Sequence, residues 1–390
     1  MAAPASTLVR DRVTAVVGGA YVLIGASTAS LGPVGDELRR SLHLSSAVTG
    51  LHGALFGWFL LACALLSAWL RRLASTGVLL RAAVVAMGVG LVVLASADRV
   101  ALTLLGAACT GLGGAVTVLV SPQIVAARHG ESGRAAAFTY VNALSQIGSI
   151  AAPLVLALSL HQRWGWRWPV GAFGAVGATL VLVGSRHAEL PQHADAITMA
   201  RTGAVALLRR HPAVRLRWLT LALGIAVEFA TLFWAAASVR ELAHTSSATA
   251  SVGVGLFAGG MVVGRLAGPR LVAHFDGVTI LRTSFVVATA AAVVLRVGPG
   301  VPARLLALAA MGLGLALVYP VAFSRLYGVG VADADVGAVG ALASGSAVTF
   351  SPLVLGALAD ASSLRWALLT LPALCLAGLL ALSTSVRSAA

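Results

Sequence analysis

The chain has 390 residues, of which 59% are hydrophobic and only 10% charged, with a mean hydropathy of +0.94. Soluble domains average about 45–50% apolar and about 25% charged residues, so a soluble globule is excluded and the chain reads as a polytopic membrane protein. The formal charge of +14 rests on 27 basic residues, all arginine, and it is their positions that carry information.

Apolar runs of about 18–25 residues, long enough for a helix to cross a hydrocarbon core, recur at 13–34, 46–69, 78–97, 100–127, 135–159 and 168–185. A second series follows at 214–238, 248–268, 279–297, 302–327, 337–358 and 365–385. Strict polar and apolar alternation is absent, which argues against a barrel. The expected fold is therefore all-α, with twelve transmembrane helices. The first run lacks a small-residue cleavage site and leads into further spans, so it reads as a retained span.

An even number of spans puts both termini on one side. Assigning that side to the cytoplasm gives it 18 arginines against 9 opposite, the asymmetry of the positive-inside rule. Six of them lie in RHAELPQHADAITMARTGAVALLRRHPAVRLR (186–217). Residues 186–213 read as a cytoplasmic linker between an N-terminal half, 1–185, and a C-terminal half, 214–390. Arginines placed this way anchor helices to the lipid surface, and no nucleic-acid partner is expected. Cys63, Cys109 and Cys375 fall inside spans without disulfide or metal-ligand spacing, so neither a metal nor another cofactor is expected.

The chain repeats itself at an offset of 201 residues. Ser45-Ser46-Ala47 returns as Ser246-Ser247-Ala248, Leu55-Phe56 as Leu256-Phe257, Leu80-Arg81 as Leu281-Arg282, and Gly111-Leu112-Gly113 as Gly312-Leu313-Gly314. Pro153-Leu154-Val155-Leu156 then matches Pro352-Leu353-Val354-Leu355 at an offset of 199. One register held across three consecutive spans implies two parallel six-helix units. Such repeats suit rocking motions about a site at mid-depth between them.

Glu228 stands in GIAVEFATLFW (224–234), inside a stretch from Trp218 to Ser238 that carries no other charge. A charge at the centre of a span costs at least a few kcal/mol if lipid surrounds it, so it normally faces a polar path. Thr220, Gly224, Glu228, Thr231, Ala235 and Ser238 recur at helical spacing and form one small, weakly polar stripe. The repeat places Ser27 at the position equivalent to Glu228, so the acid is present in one half only.

Twelve spans, the repeat, the linker and local motifs together resemble the major facilitator superfamily, in its bacterial twelve-span form. FAGGMVVGRLAGPRLVAHFDGVTILR (257–282) is similar to that family's loop between spans 8 and 9, GLGGA (111–115) to its span 4 motif, PLVLGALAD (352–360) to its span 11 pattern, and GWRW (165–168) to its entry into span 6. The chain departs from the family in the segment SAWLRRLASTGVLLR (67–81), which has no acid, and at Ala273 and Ala107, where an Asp and an Arg are usual. The resemblance implies a multi-pass protein of the cytoplasmic membrane, acting as a monomer, whose spans 1, 4, 7 and 10 line a central cavity.

On that reading Glu228 is the proton-coupling or substrate-binding acid. Tyr21, Ser27, Thr28, Thr117, Asn142, Gln146, Thr231, Trp234 and Tyr319 are candidates for lining the cavity, although small and aromatic residues also serve helix packing. Gly264, Arg265, Arg270 and Arg282 belong to the expected gating loop. His52 is a second titratable candidate, set near the outer end of span 2, where a solvated ring is the plainer reading.

An enzyme is not expected. The absence of lysine removes a P-loop lysine and a Schiff-base nucleophile, and no nucleophile-base cluster appears. The reading is a secondary transporter moving a small organic solute by alternating access, as proton-coupled efflux. Uptake of a small nutrient or anion, and a non-transporting receptor or scaffold, are the alternatives.

Overall fold

The structure is a computed structural model and describes residues 11–191, 204–327 and 333–387. Residues 192–203 of the expected linker lie outside the described residues. Among the described residues the ordered elements are all helical. Twelve helices have the length and apolar character to cross a membrane. The N-terminal six are Arg12–Ser41, Ser46–Leu65, Thr76–Ser96, Val100–His129, Ala136–His161 and Arg167–Arg186. The C-terminal six are Pro212–Ala243, Ser247–His274, Gly277–Val297, Gly300–Tyr327, Asp335–Ala361 and Leu364–Val386. They are called spans 1 to 12 below. A short helix, Ala204–Arg210, precedes span 7.

Helices dominate because a hydrocarbon core offers backbone groups no water, leaving intrahelical bonds as their partners. Start signals recur: Asp11, Ser45, Ser75, Ser246 and Asp276 each accept a hydrogen bond from a backbone N–H in the following first turn. Asp276, before span 9, also accepts from the Thr279 hydroxyl, which together with the Thr279 and Val278 N–H bonds holds its carboxyl below the usual range. Asp11 does more than cap. Burial pushes its carboxyl up, but bonds from the Arg128 guanidinium and from Thr14 outweigh that and leave it below the ordinary carboxylate range. Asp11 so ties the start of span 1 to the end of span 4. Spans 4 and 5 follow without a break in helical backbone from Val100 to His161.

The repeat is visible in packing as well as in sequence. A side chain at Gly111 would meet the Phe56 backbone, and one at Gly312 would meet the Phe257 backbone, both pairs shifted by 201. Gly113 abuts Met87 of span 3, and Gly314 abuts Ala288 of span 9, by the same shift. Each half has its own buried cluster, one built on Leu80, Met87 and Leu91, the other on Phe257, Phe285 and Met311. The expected fold, two parallel six-helix repeats, is the observed one.

Several span ends extend beyond the apolar runs. Span 1 continues from 34 to Ser41, and span 7 from 238 to Ala243, which draws Asp36, Glu37, Arg39, Arg40, Arg240 and Glu241 into helix. Span 8 runs to His274 and absorbs most of the expected gating loop. Gly264, Arg265 and Arg270 lie in span 8 and Arg282 in span 9, so the loop shrinks to Phe275 and Asp276. Pro269, just past the expected end of the run at 268, lies inside this helix, because in a membrane helix neighbours satisfy the carbonyls a proline frees.

Candidate functional site

Glu228 lies 16 residues after Pro212 and 15 before Ala243, at the middle of span 7. The helix around it is fixed on two sides. Gly224 faces Val318 of span 10, and the Thr231 hydroxyl donates to the Met311 Sδ, also of span 10, at 3.0 Å. Phe229 and Phe233 instead face spans 1, 2 and 11, where they join Thr28, Phe56 and Pro352 around a small apolar cavity between the halves. Glu228 sits between these two faces, with 18% of its side chain accessible.

Among the described residues the charge beside Glu228 is Arg265 of span 8, whose Nη2 stands 4.0 Å from Oε1 and whose side chain is 36% accessible. Arg265 is nine residues inside the end of its helix. Tyr319 of span 10 follows Val318, the residue that Gly224 faces one helical turn before Glu228. Its ring stacks on Phe323 at 5.6 Å and 6°, and Phe323 meets Tyr327 edge-on at 5.7 Å. These three residues, four apart on span 10, form an aromatic ladder.

The other candidates divide. Thr28 borders the cavity, and Asn142, Gln146 and Tyr319 keep accessible surface. The rest are packed. Ser27 bonds the Ile24 carbonyl and Thr117 the Gly113 carbonyl, both within their own helices. Tyr21 is buried edge-on against Phe138. Thr231 is held by Met311, and the Trp234 indole N–H donates to the Pro352 carbonyl at 3.0 Å. Buried hydroxyls in span interiors must find an acceptor, and the preceding turn supplies it. His52 is buried rather than solvated, with Nδ1 2.9 Å from the Val48 carbonyl and Nε2 3.0 Å from the Thr103 hydroxyl.

A second group of polar residues joins the halves on the face opposite the termini. Arg240 of span 7 donates twice to Asp36 of span 1, Nε to Oδ2 at 2.5 Å and Nη2 to Oδ1 at 2.9 Å, and Asp36 is 3% exposed. Arg39 pairs with Glu241, and its guanidinium also stands 3.6 Å from Asp36. Arg40, paired with Glu37, donates to the Ser247 hydroxyl at 2.6 Å. Beside them Asp360, ending span 11, accepts from the backbone N–H groups of Ser46 and Ala47 at 2.7 Å each. It thereby caps span 2 of the other half. The sequence reading missed this lock, although the offset of 201 maps Arg39 onto Arg240 and so pointed to it.

Comparison with known proteins agrees with this geometry. A point mutant of the nucleoside transporter NupG superposes with a TM-score of 0.79 at 14% identity, covering 96% of this chain and 100% of that one. The D-xylose-proton symporter gives 0.77 at 15% identity, with 96% of each chain covered. A bacterial homolog of the human lysosomal transporter Spinster, in an inward-facing and unoccupied conformation, gives 0.74 at 14% identity, with 99% and 98% covered. At such identities the likeness is one of fold. No curated protein matches the chain in sequence. Residues 17–328 match the family described as the Major Facilitator Superfamily. The chain is therefore a multi-pass membrane protein of the Major Facilitator Superfamily, a family of transporters and not of enzymes.

Proposed function

We propose that the protein is a secondary active transporter that moves a small organic solute by proton-coupled efflux, with Glu228 as the acid that exchanges protons or meets cargo. The observation that carries this reading is an accessible carboxylate at the centre of span 7, beside the boundary between two repeated halves. A carboxylate there is tolerable with water, a proton or a cation as partner, the species an alternating cycle moves. The halves 1–185 and 214–390 rock as units on the linker 186–213, as a monomer in the cytoplasmic membrane with both termini in the cytoplasm. The cross-half lock at Asp36, Arg240 and Asp360 fits a state closed on the outer face. Arg265 beside the acid favours a second reading, uptake of a nutrient or anion.

The test uses everted membrane vesicles energised to an acidic interior, and each solute that raises the thermal stability of the purified protein. Export by proton exchange predicts accumulation of solute inside and a partial collapse of the pH gradient on its addition. Uptake by symport predicts solute-driven flow the other way. Glu228→Gln keeps shape and removes titration, so uphill transport is lost while solute exchange persists. Transport indistinguishable from wild type across pH 5.5–8 would make Glu228 a packing residue and end the mechanistic reading.

A further inference from the structure

We infer that Glu228 and Arg265 together form a recognition site for a net-neutral, zwitterionic organic solute, its body lying against the aromatic face of Tyr319. This rests on the transporter reading above and narrows the cargo to one class. Two charge pairs in the same chain supply the contrast. Asp36 and Arg240 meet through bonds of 2.5 and 2.9 Å with Asp36 3% exposed, the geometry of a closed structural pair. Glu228 and Arg265 stop at 4.0 Å, too far for a hydrogen bond, and keep 18% and 36% of their side chains accessible. Among the described residues neither side chain makes a hydrogen bond.

Two under-satisfied charges of opposite sign, held by adjacent helices at mid-depth, sort solutes by charge pattern. A cation entering beside Glu228 is repelled by Arg265, and an anion beside Arg265 is repelled by Glu228. A solute with an ammonium and a carboxylate on one carbon presents both signs a few ångströms apart and satisfies both groups without adding net charge to a low-dielectric site. Specificity of this kind comes as much from rejecting singly charged competitors as from attracting the cargo. The Tyr319–Phe323 stack, parallel within 6°, gives the solute's apolar part a flat wall.

The experiment uses purified full-length protein and charge-matched triplets: L-tryptophan with tryptamine and indole-3-propionate, L-phenylalanine with phenethylamine and 3-phenylpropionate, L-leucine with isoamylamine and isocaproate. Thermal shift and counterflow in proteoliposomes rank each triplet. In the wild type the zwitterion is expected to bind roughly tenfold more tightly than either analogue. Glu228→Gln moves the preference to the acid, Arg265→Gln moves it to the amine, and Arg265→Lys keeps the wild-type order. Where Glu228→Gln elutes as aggregate, Glu228→Asp replaces it and lowers affinity for zwitterion and amine with the acid unchanged; where Arg265→Gln does, Arg265→Ala replaces it with the same expected preference for the amine. An order that neither variant alters overturns the site. Failure of every zwitterion overturns the cargo class, while the transporter reading, tested by uphill proton-linked flux of whatever solute does bind, stands or falls separately.

Discussion

Asp36 accepts two hydrogen bonds from one guanidinium across the boundary between the halves, and that geometry sets what its removal does. Leaving one partner of a buried pair uncompensated costs about 3–5 kcal/mol. Arg240 retains 18% exposure, so the lower end applies, and the cost falls only on states in which the halves meet at this face. Asp36→Asn is therefore expected to shift the conformational equilibrium toward opening at the lock by roughly 100-fold. In a background lacking Cys63, Cys109 and Cys375, a cysteine at Thr28 beneath the lock should react correspondingly faster with a membrane-impermeant maleimide applied from the lock side. An unchanged rate would mean that the bond does not hold the face closed. Glu228 was legible from sequence because it stands alone in an apolar run. Asp36, Arg39, Arg240 and Glu241 were not, because each resembles an ordinary interfacial charge at a span end, and only the repeat relating Arg39 to Arg240 connects them.

At the scale of the element, close approach decides which helices can separate. Span 2 meets span 11 of the other half through Gly50, where an added Cβ would sit 2.5 Å from the Pro352 carbonyl, and through Gly57, where it would strike the Thr349 backbone. Span 5 meets span 1 of its own half through Gly148, where a Cβ would lie 2.8 Å from the Ala26 nitrogen. Overpacking costs about 1–3 kcal/mol, but its consequence depends on whether the pair must stay together. Gly57→Val is expected to leave the melting temperature within a few degrees of wild type and abolish transport, since the halves can part to relieve it. Gly148→Val has no such escape and is expected to lower the melting temperature and the folded yield. Equal destabilisation by both would show that spans 2 and 11 do not separate in the cycle. The small residues behind these contacts were visible as stripes, but a stripe does not name its partner helix. Span 8 shows the same limit. The apolar run ends at 268, yet the helix continues through Pro269 to His274, and nothing in the run itself pairs Arg265 with Glu228.

Over the whole molecule, the order of the twelve spans and their division into repeats were legible, because hydropathy and the offset of 201 residues are properties of the chain itself. The state of the molecule was not, since it depends on which ends of two similar units touch. The described polar contacts between the halves, from Arg240 to Asp36, from Arg39 to Glu241, from Arg40 to Ser247, and from Ser46 and Ala47 to Asp360, gather on the face opposite the termini. Two packed units that pivot about a common centre cannot close both faces, so distances across the two faces must change with opposite sign. Spin labels at the exposed positions His43 and Ser362 report the locked face, and labels at the exposed Leu73 and Val272 report the other. In the same background free of native cysteines, the first pair is expected to give a short, narrow distance distribution in the wild type. Asp36→Asn should lengthen it and shorten the second pair in the same sample. Rocking requires both changes together. A variant that lengthens the first distance while leaving the second fixed would instead describe local fraying of spans 1 and 7, and the two halves would then have to be regarded as moving in parts.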